Sequence, residues 1–111
     1  MARLSALFLT LSLILVIPRI ALADDYVGTF AGQLNGEEYR LTIESGASNR
    51  YEGELLVAEI RFAIAARRFG ETVLGQIASP DGFVGITLSL QGNRLRLEDE
   101  HGEVIVFERV D

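Results

Sequence analysis

The chain has 111 residues, 49% of them hydrophobic, and a formal net charge of −6, but the first 23 residues hold no acidic residue and much of the apolar excess. From Asp24 onward 88 residues remain, enough for one small domain with one core, and they carry all 16 acidic residues against eight arginines, a net charge of −8. That acidity argues against nucleic acid and anionic membrane surfaces as partners. The absence of cysteine excludes disulfides, thiolate metal sites and a cysteine nucleophile.

Residues 1–23 read as a cleaved signal peptide. Arg3 supplies the positive start, Leu4 to Ile17 the apolar stretch, and Ala21-Leu22-Ala23 an A-x-A cleavage site. Pro18 and Arg19 interrupt the apolar run short of the roughly 20 residues that a membrane-spanning helix needs. The expected location of the mature domain is the periplasm or the medium. A small exported domain without disulfides must draw its stability from a closed, well-packed architecture.

From Tyr26 onward, short alternating runs are separated by glycine-centred turns, the period-2 signal of half-buried strands. Tyr26 to Leu34 is the first strand, with Tyr26, Phe30 and Leu34 on one face. Asn35-Gly36 then supplies the two positive-φ residues of a type I′ hairpin turn. Glu37 to Ser45 alternates, with Tyr39, Leu41 and Ile43 inward, and a polar loop follows at Gly46 to Asn49.

The stretch Leu55 to Arg68 admits two readings, one amphipathic helix or two strands. Ile60, Phe62, Ile64 and Ala66 alternate with Arg61, Ala63, Ala65 and Arg67, and a helix would scatter those apolar positions around its circumference. Strands are therefore expected, with a turn near Val57 to Glu59. Arg67-Arg68 beside Phe69 is expected in a loop, where the pair is either a solvated turn or an anchor for an anionic group.

Thr72 to Ala78 is the next strand, ended by Ser79-Pro80-Asp81-Gly82, a turn set by its proline and glycine. Phe83 to Gln91, Arg94 to Glu100 and Glu103 to Val110 follow. The result is an all-β chain of eight strands joined by hairpin-length links. It is expected to form an antiparallel up-and-down meander that closes into a barrel and so removes its edge strands. A weak repeat supports hairpin units: Gln33 to Leu41 resembles Ser89 to Leu97, and aromatic-x-Gly recurs at Tyr26, Tyr51 and Phe83.

Gly28-Thr29-Phe30 in the first strand, with Arg109 in the last, resembles the calycin pattern of lipocalins, fatty-acid-binding proteins and avidins. In those proteins a basic side chain from the last strand covers a Gly-x-Trp near the amino terminus; here Phe30 stands at the tryptophan position. The resemblance implies that Arg109 lies across the ring of Phe30 where the barrel closes. The chain from Asp24 also resembles small exported bacterial β-barrel proteins, a likeness that brings no activity with it.

A narrow eight-stranded barrel is either filled or holds one small ligand, and the apolar inward positions favour a mostly filled interior. Charges opposite the core face, among them Glu38, Arg40, Glu44, Arg94, Arg96 and Glu98, argue against an outer-membrane barrel and against stable membrane insertion. His101, the single histidine, sits in an acidic turn with Glu98, Asp99, Glu100 and Glu103. A solvated turn is favoured there over a calcium or zinc site, and no metal or cofactor is expected. No Gly-x-Ser-x-Gly elbow and no phosphate-cradling glycine loop occurs, so no enzyme activity is expected. The expected function is that of an exported binding or interaction module contacting a small apolar ligand or a protein. The alternatives are a periplasmic inhibitor of an exported enzyme and a calycin-like carrier. Phe30, Tyr39, Tyr51, Arg67, Arg68 and Phe69 are the candidate contact residues.

Overall fold

The computed structural model describes residues 25–111; the expected signal peptide and its expected cleavage site lie outside the described residues. Eight strands run in chain order: β1 (Gly28–Leu34), β2 (Glu37–Ser45), β3 (Arg50–Val57), β4 (Ile60–Phe69), β5 (Thr72–Ser79), β6 (Gly82–Gln91), β7 (Arg94–Asp99) and β8 (Val104–Arg109). Each pairs antiparallel with its neighbour, and β8 returns to β1 through Phe30↔Arg109 and Gly32↔Phe107, so the meander closes into a barrel. Closure satisfies the edge hydrogen bonds that an open sheet of this size would present to other chains.

Alternation sorts the side chains. Phe30, Leu41, Leu88, Leu95, Val73 and Phe107 are almost wholly buried, and no polar or charged residue joins them in the core among the described residues. Small residues interleave with large ones across the ladders: Gly32 faces Tyr39 and Phe107, Gly53 faces Ile43 and Ile64, and Gly75 faces Ala66 and Ile86. This interleaving fits large inward rings and branched chains into a narrow barrel. At Gly75 the space is needed by backbone, since a Cβ there would stand 2.6 Å from the Ala65 carbonyl oxygen.

Leu55 to Arg68 forms the end of β3, a two-residue turn and most of β4, as the alternation requires. The turn itself is unusual. Ala58 and Glu59 have φ of 50° and 66°, matching the 54° and 82° of Asn35-Gly36, although neither residue type favours the left-handed region. Replacing Ala58-Glu59 by Asn-Gly will therefore stabilise the fold by about 1 kcal/mol, read as a higher urea midpoint at constant m-value.

Two sequence expectations are corrected. Tyr26 and Val27 precede β1 instead of forming part of it, because the chain leaves the wall there and lays the Tyr26 ring over one end of the barrel, 2% exposed. Arg67, Arg68 and Phe69 lie within β4 and not in a loop, so successive side chains take opposite faces. Arg67 and Phe69 are exposed while Arg68 is half-buried. Strand alternation thus separates the two guanidinium groups that adjacency in sequence had joined as one anchor.

Candidate functional site

The two ends of the barrel differ. One end receives the start of β1 and the connections at residues 46–49, 70–71 and 92–93. The other carries the turns at 35–36, 58–59, 80–81 and 100–103.

The first end is closed by a plug of aromatic rings and arginines. Tyr26 packs on Tyr51 with ring centroids 5.9 Å apart, and the Arg68 guanidinium lies 5.4 Å from the Tyr26 centroid. The Tyr26 hydroxyl donates to the Glu71 carbonyl at 2.9 Å. Arg68 is fastened by Nε donating to the Gly70 carbonyl at 2.9 Å and Nη1 to the Tyr51 hydroxyl at 3.4 Å. Arg109 locks the seam between β1 and β8. Its guanidinium carbon stands 4.7 Å from the Phe30 centroid, Nη1 donates to the Val27 carbonyl at 2.9 Å, and Nη2 donates to the Asp25 carbonyl. The Thr29 amide donates to Asp111 Oδ2 at 3.0 Å. The guanidinium groups of Arg68 and Arg109 are engaged by ring faces and carbonyls, and Arg109 also by the Asp111 carboxylate at 3.7 Å, which makes this end a structural closure.

Desolvation raises the pKa of Tyr26 above its ordinary value of 10, with the nearby Arg68 charge acting in the opposite direction. A raised tyrosine pKa means that the native state holds its proton to higher pH than the unfolded chain. Stability is therefore full below pH 10 and falls as pH rises through the interval up to the native pKa. Unfolding titrated between pH 9 and 11 will show this loss, and Tyr26→Phe will flatten it.

The second end is open. Inside its rim Tyr39, Val57, Phe62, Ile77 and Val84 stand above Leu55, Leu97 and Ile105, with Ser79, Asp99 and Glu103 at the margin, around a mouth of about 270 Å³. These apolar positions are the upper ends of the inward rows of β2 to β8. Tyr39, Val57, Phe62, Ile77 and Val84 remain half-buried because, among the described residues, no segment crosses this end as Tyr26 crosses the other. A larger concavity of about 460 Å³ lies among Glu71, Thr72, Ser89, Gln91, Arg94 and Arg96, with Leu90 and Val106 as its apolar part, so two guanidinium groups share a lining that in the mouth is mostly apolar. Ile60 and Phe83 are 57% and 70% exposed beside the mouth.

The sequence candidates are thus divided among three places. Tyr39 lies in the mouth; Phe30, Tyr51, Arg68 and Arg109 lie in the core and the closed end; Arg67 and Phe69 lie on the outer wall. Phe62, Ile77 and Val84 belong to the mouth but carried no individual sequence signal, since their inward alternation is the same as that of core residues. His101 sits in the β7–β8 turn, where its amide and that of Glu103 each donate to Asp99 Oδ1 at 2.9 Å. Among the described residues no group of three or more His, Asp or Glu is placed to hold a metal ion.

Comparison with protein-family models, with curated proteins and with solved structures finds no match.

Proposed function

We propose that the protein is an exported binding module of the cell envelope whose open barrel end receives a small apolar ligand. The carrying observation is the asymmetry of the barrel: one end is plugged by Tyr26, Tyr51 and Arg68, while the other exposes an apolar mouth of about 270 Å³. That volume sits just below the usual range of small-molecule sites, roughly 300–1,000 Å³, so it suits a small ligand or the apolar part of a larger one. Arg109 over Phe30 supports a calycin-like carrier within this reading. The A-x-A signal at Ala21-Leu22-Ala23 supports export, and the charged outer face, with Arg40, Glu44, Arg94 and Arg96 exposed, supports a domain that stays out of lipid.

A second reading, a protein partner such as an exported enzyme held in an inhibited state, draws on the exposed Phe83 and Ile60. Against it, the connections are turns of two to four residues, so no loop protrudes to enter an active-site cleft.

Native mass spectrometry of the mature protein purified from its own host tests both readings. A retained small molecule supports the first and a co-purifying protein the second. Uptake of the uncharged dye Nile red provides a direct check. Val84→Trp, which places an indole in the mouth, will abolish uptake while leaving the far-ultraviolet spectrum unchanged; unaltered uptake would place the dye elsewhere.

A further inference from the structure

We infer that the ligand of the open mouth is a cationic amphiphile, a small molecule whose apolar body enters the barrel and whose protonated amine stays at the rim. This inference rests on the mouth being the binding site and adds the charge of its occupant. The side chains that line the mouth include two carboxylates, Asp99 and Glu103, and no arginine. Glu59 and Asp81 in the turns around it and Glu37 at the start of β2 add further carboxylates, while Glu100 is held by the Gly85 amide, which donates to its Oε1 at 2.6 Å. The three arginines nearest this end, Arg40, Arg61 and Arg96, are exposed and each has a carboxylate of its own, Glu38 and Glu54 at 3.7 Å and Glu98 at 3.0 Å. Arg50, Arg67, Arg68, Arg94 and Arg109 collect instead toward the closed end.

The mouth is therefore an apolar recess ringed by negative charge, in which low-dielectric walls focus the field on whatever enters. An anionic amphiphile meets repulsion at the rim, a neutral one gains only the burial of its apolar body, and a cation gains both terms. Asp99 is already oriented, since two backbone amides donate to its Oδ1 at 2.9 Å each, which leaves Oδ2 for an incoming ammonium. Preorganisation of this kind lowers the ordering cost of binding.

Titration calorimetry of the mature protein with octylammonium, octanol and octanoate at low ionic strength separates these cases. Octylammonium is expected to bind on the order of tenfold more tightly than octanol, and octanoate more weakly than either. The preference for the cation will collapse near 1 M salt, where the screening length falls to about 3 Å. Glu103→Gln, at an exposed site, will weaken octylammonium several-fold and leave octanol unchanged. Octanol binding as tightly as octylammonium, or a preference that salt does not alter, overturns the cationic assignment while leaving the mouth as the site. Binding of none of the three overturns the mouth reading itself.

Discussion

Phe30→Ala will lower the unfolding free energy by about 3–5 kcal/mol, measured by urea denaturation of the domain from Asp24 onward. The Phe30 ring has no solvent exposure, pairs across the ladder with Leu41 on one side and with Arg109 on the other, and is roofed by a guanidinium. Its removal leaves a void at the seam where the barrel closes, and β strands on both sides cannot move inward together without breaking that seam. A domain of this size has a total stability near the lower part of the usual 5–15 kcal/mol range, so the alanine variant will keep only about 0–2 kcal/mol and be unfolded by low concentrations of urea. Phe30→Leu, which retains most of the volume, provides a folded intermediate with a smaller loss. Equal stabilities for the three proteins would show that the seam does not hold the barrel closed.

Arg109→Met will cost about 3 kcal/mol while keeping most of the side chain's apolar length. Four contacts end together: the cation-π contact with Phe30, worth roughly 0.5–2 kcal/mol, the hydrogen bonds from one guanidinium to the Val27 and Asp25 carbonyls, of a charged type worth about 1.5–3 kcal/mol when buried and less at this partly exposed site, and the ion pair with Asp111 at 3.7 Å, which solvent screens to about 0–1 kcal/mol. Arg109→Lys retains the charge without the planar fork and is expected to fall between the two. The double-mutant cycle with Phe30→Leu isolates the ring contact, with a coupling of about 1 kcal/mol expected. Additive effects would show that Arg109 acts only through the carbonyls of the segment that covers the closed end. Because that segment carries Tyr26, release of Arg109 will also expose Tyr26, visible as increased hydrogen exchange at residues 26–28.

These two positions show where sequence was informative. Phe30 and Arg109 lie far apart in the chain, yet barrel closure is the only arrangement of eight hairpin-linked strands that brings the first and last strands together, and the Gly28-Thr29-Phe30 pattern pointed to the ring that the arginine meets. The alternation of Ile60, Phe62, Ile64 and Ala66 likewise distinguished a strand from a helix, because periodicity is a property of consecutive residues. Arg67-Arg68 illustrates the opposite case. Adjacency suggested a joint basic site, and strand geometry placed one side chain outside and the other against Tyr26.

The candidate site was less legible than the fold. Tyr39, Phe62, Ile77 and Val84 continue the same inward rows as Leu41, Ile64, Val73 and Ile86, so alternation alone cannot separate a residue that lines a mouth from one that fills a core. The difference arises from the height of each residue along the barrel axis, which depends on the stagger of all eight strands. It also depends on whether a chain segment crosses the end. Tyr26 lies two residues before β1, and nothing in its immediate surroundings announces that it leaves the wall to seal one end.

Composition and periodicity by themselves determined the all-β class, the number and order of the strands, the antiparallel meander and the lack of disulfide or thiolate chemistry, since each of these follows from residue type and local spacing. Tertiary structure alone decided which barrel end is sealed and which is open, and that the arginines gather toward the sealed end while carboxylates ring the open one. Those outcomes depend on strand stagger and on contacts such as Tyr26 with Glu71 and Arg109 with Asp25, between groups dozens of residues apart in sequence. No local pattern encodes such distances; closure of the sheet creates them.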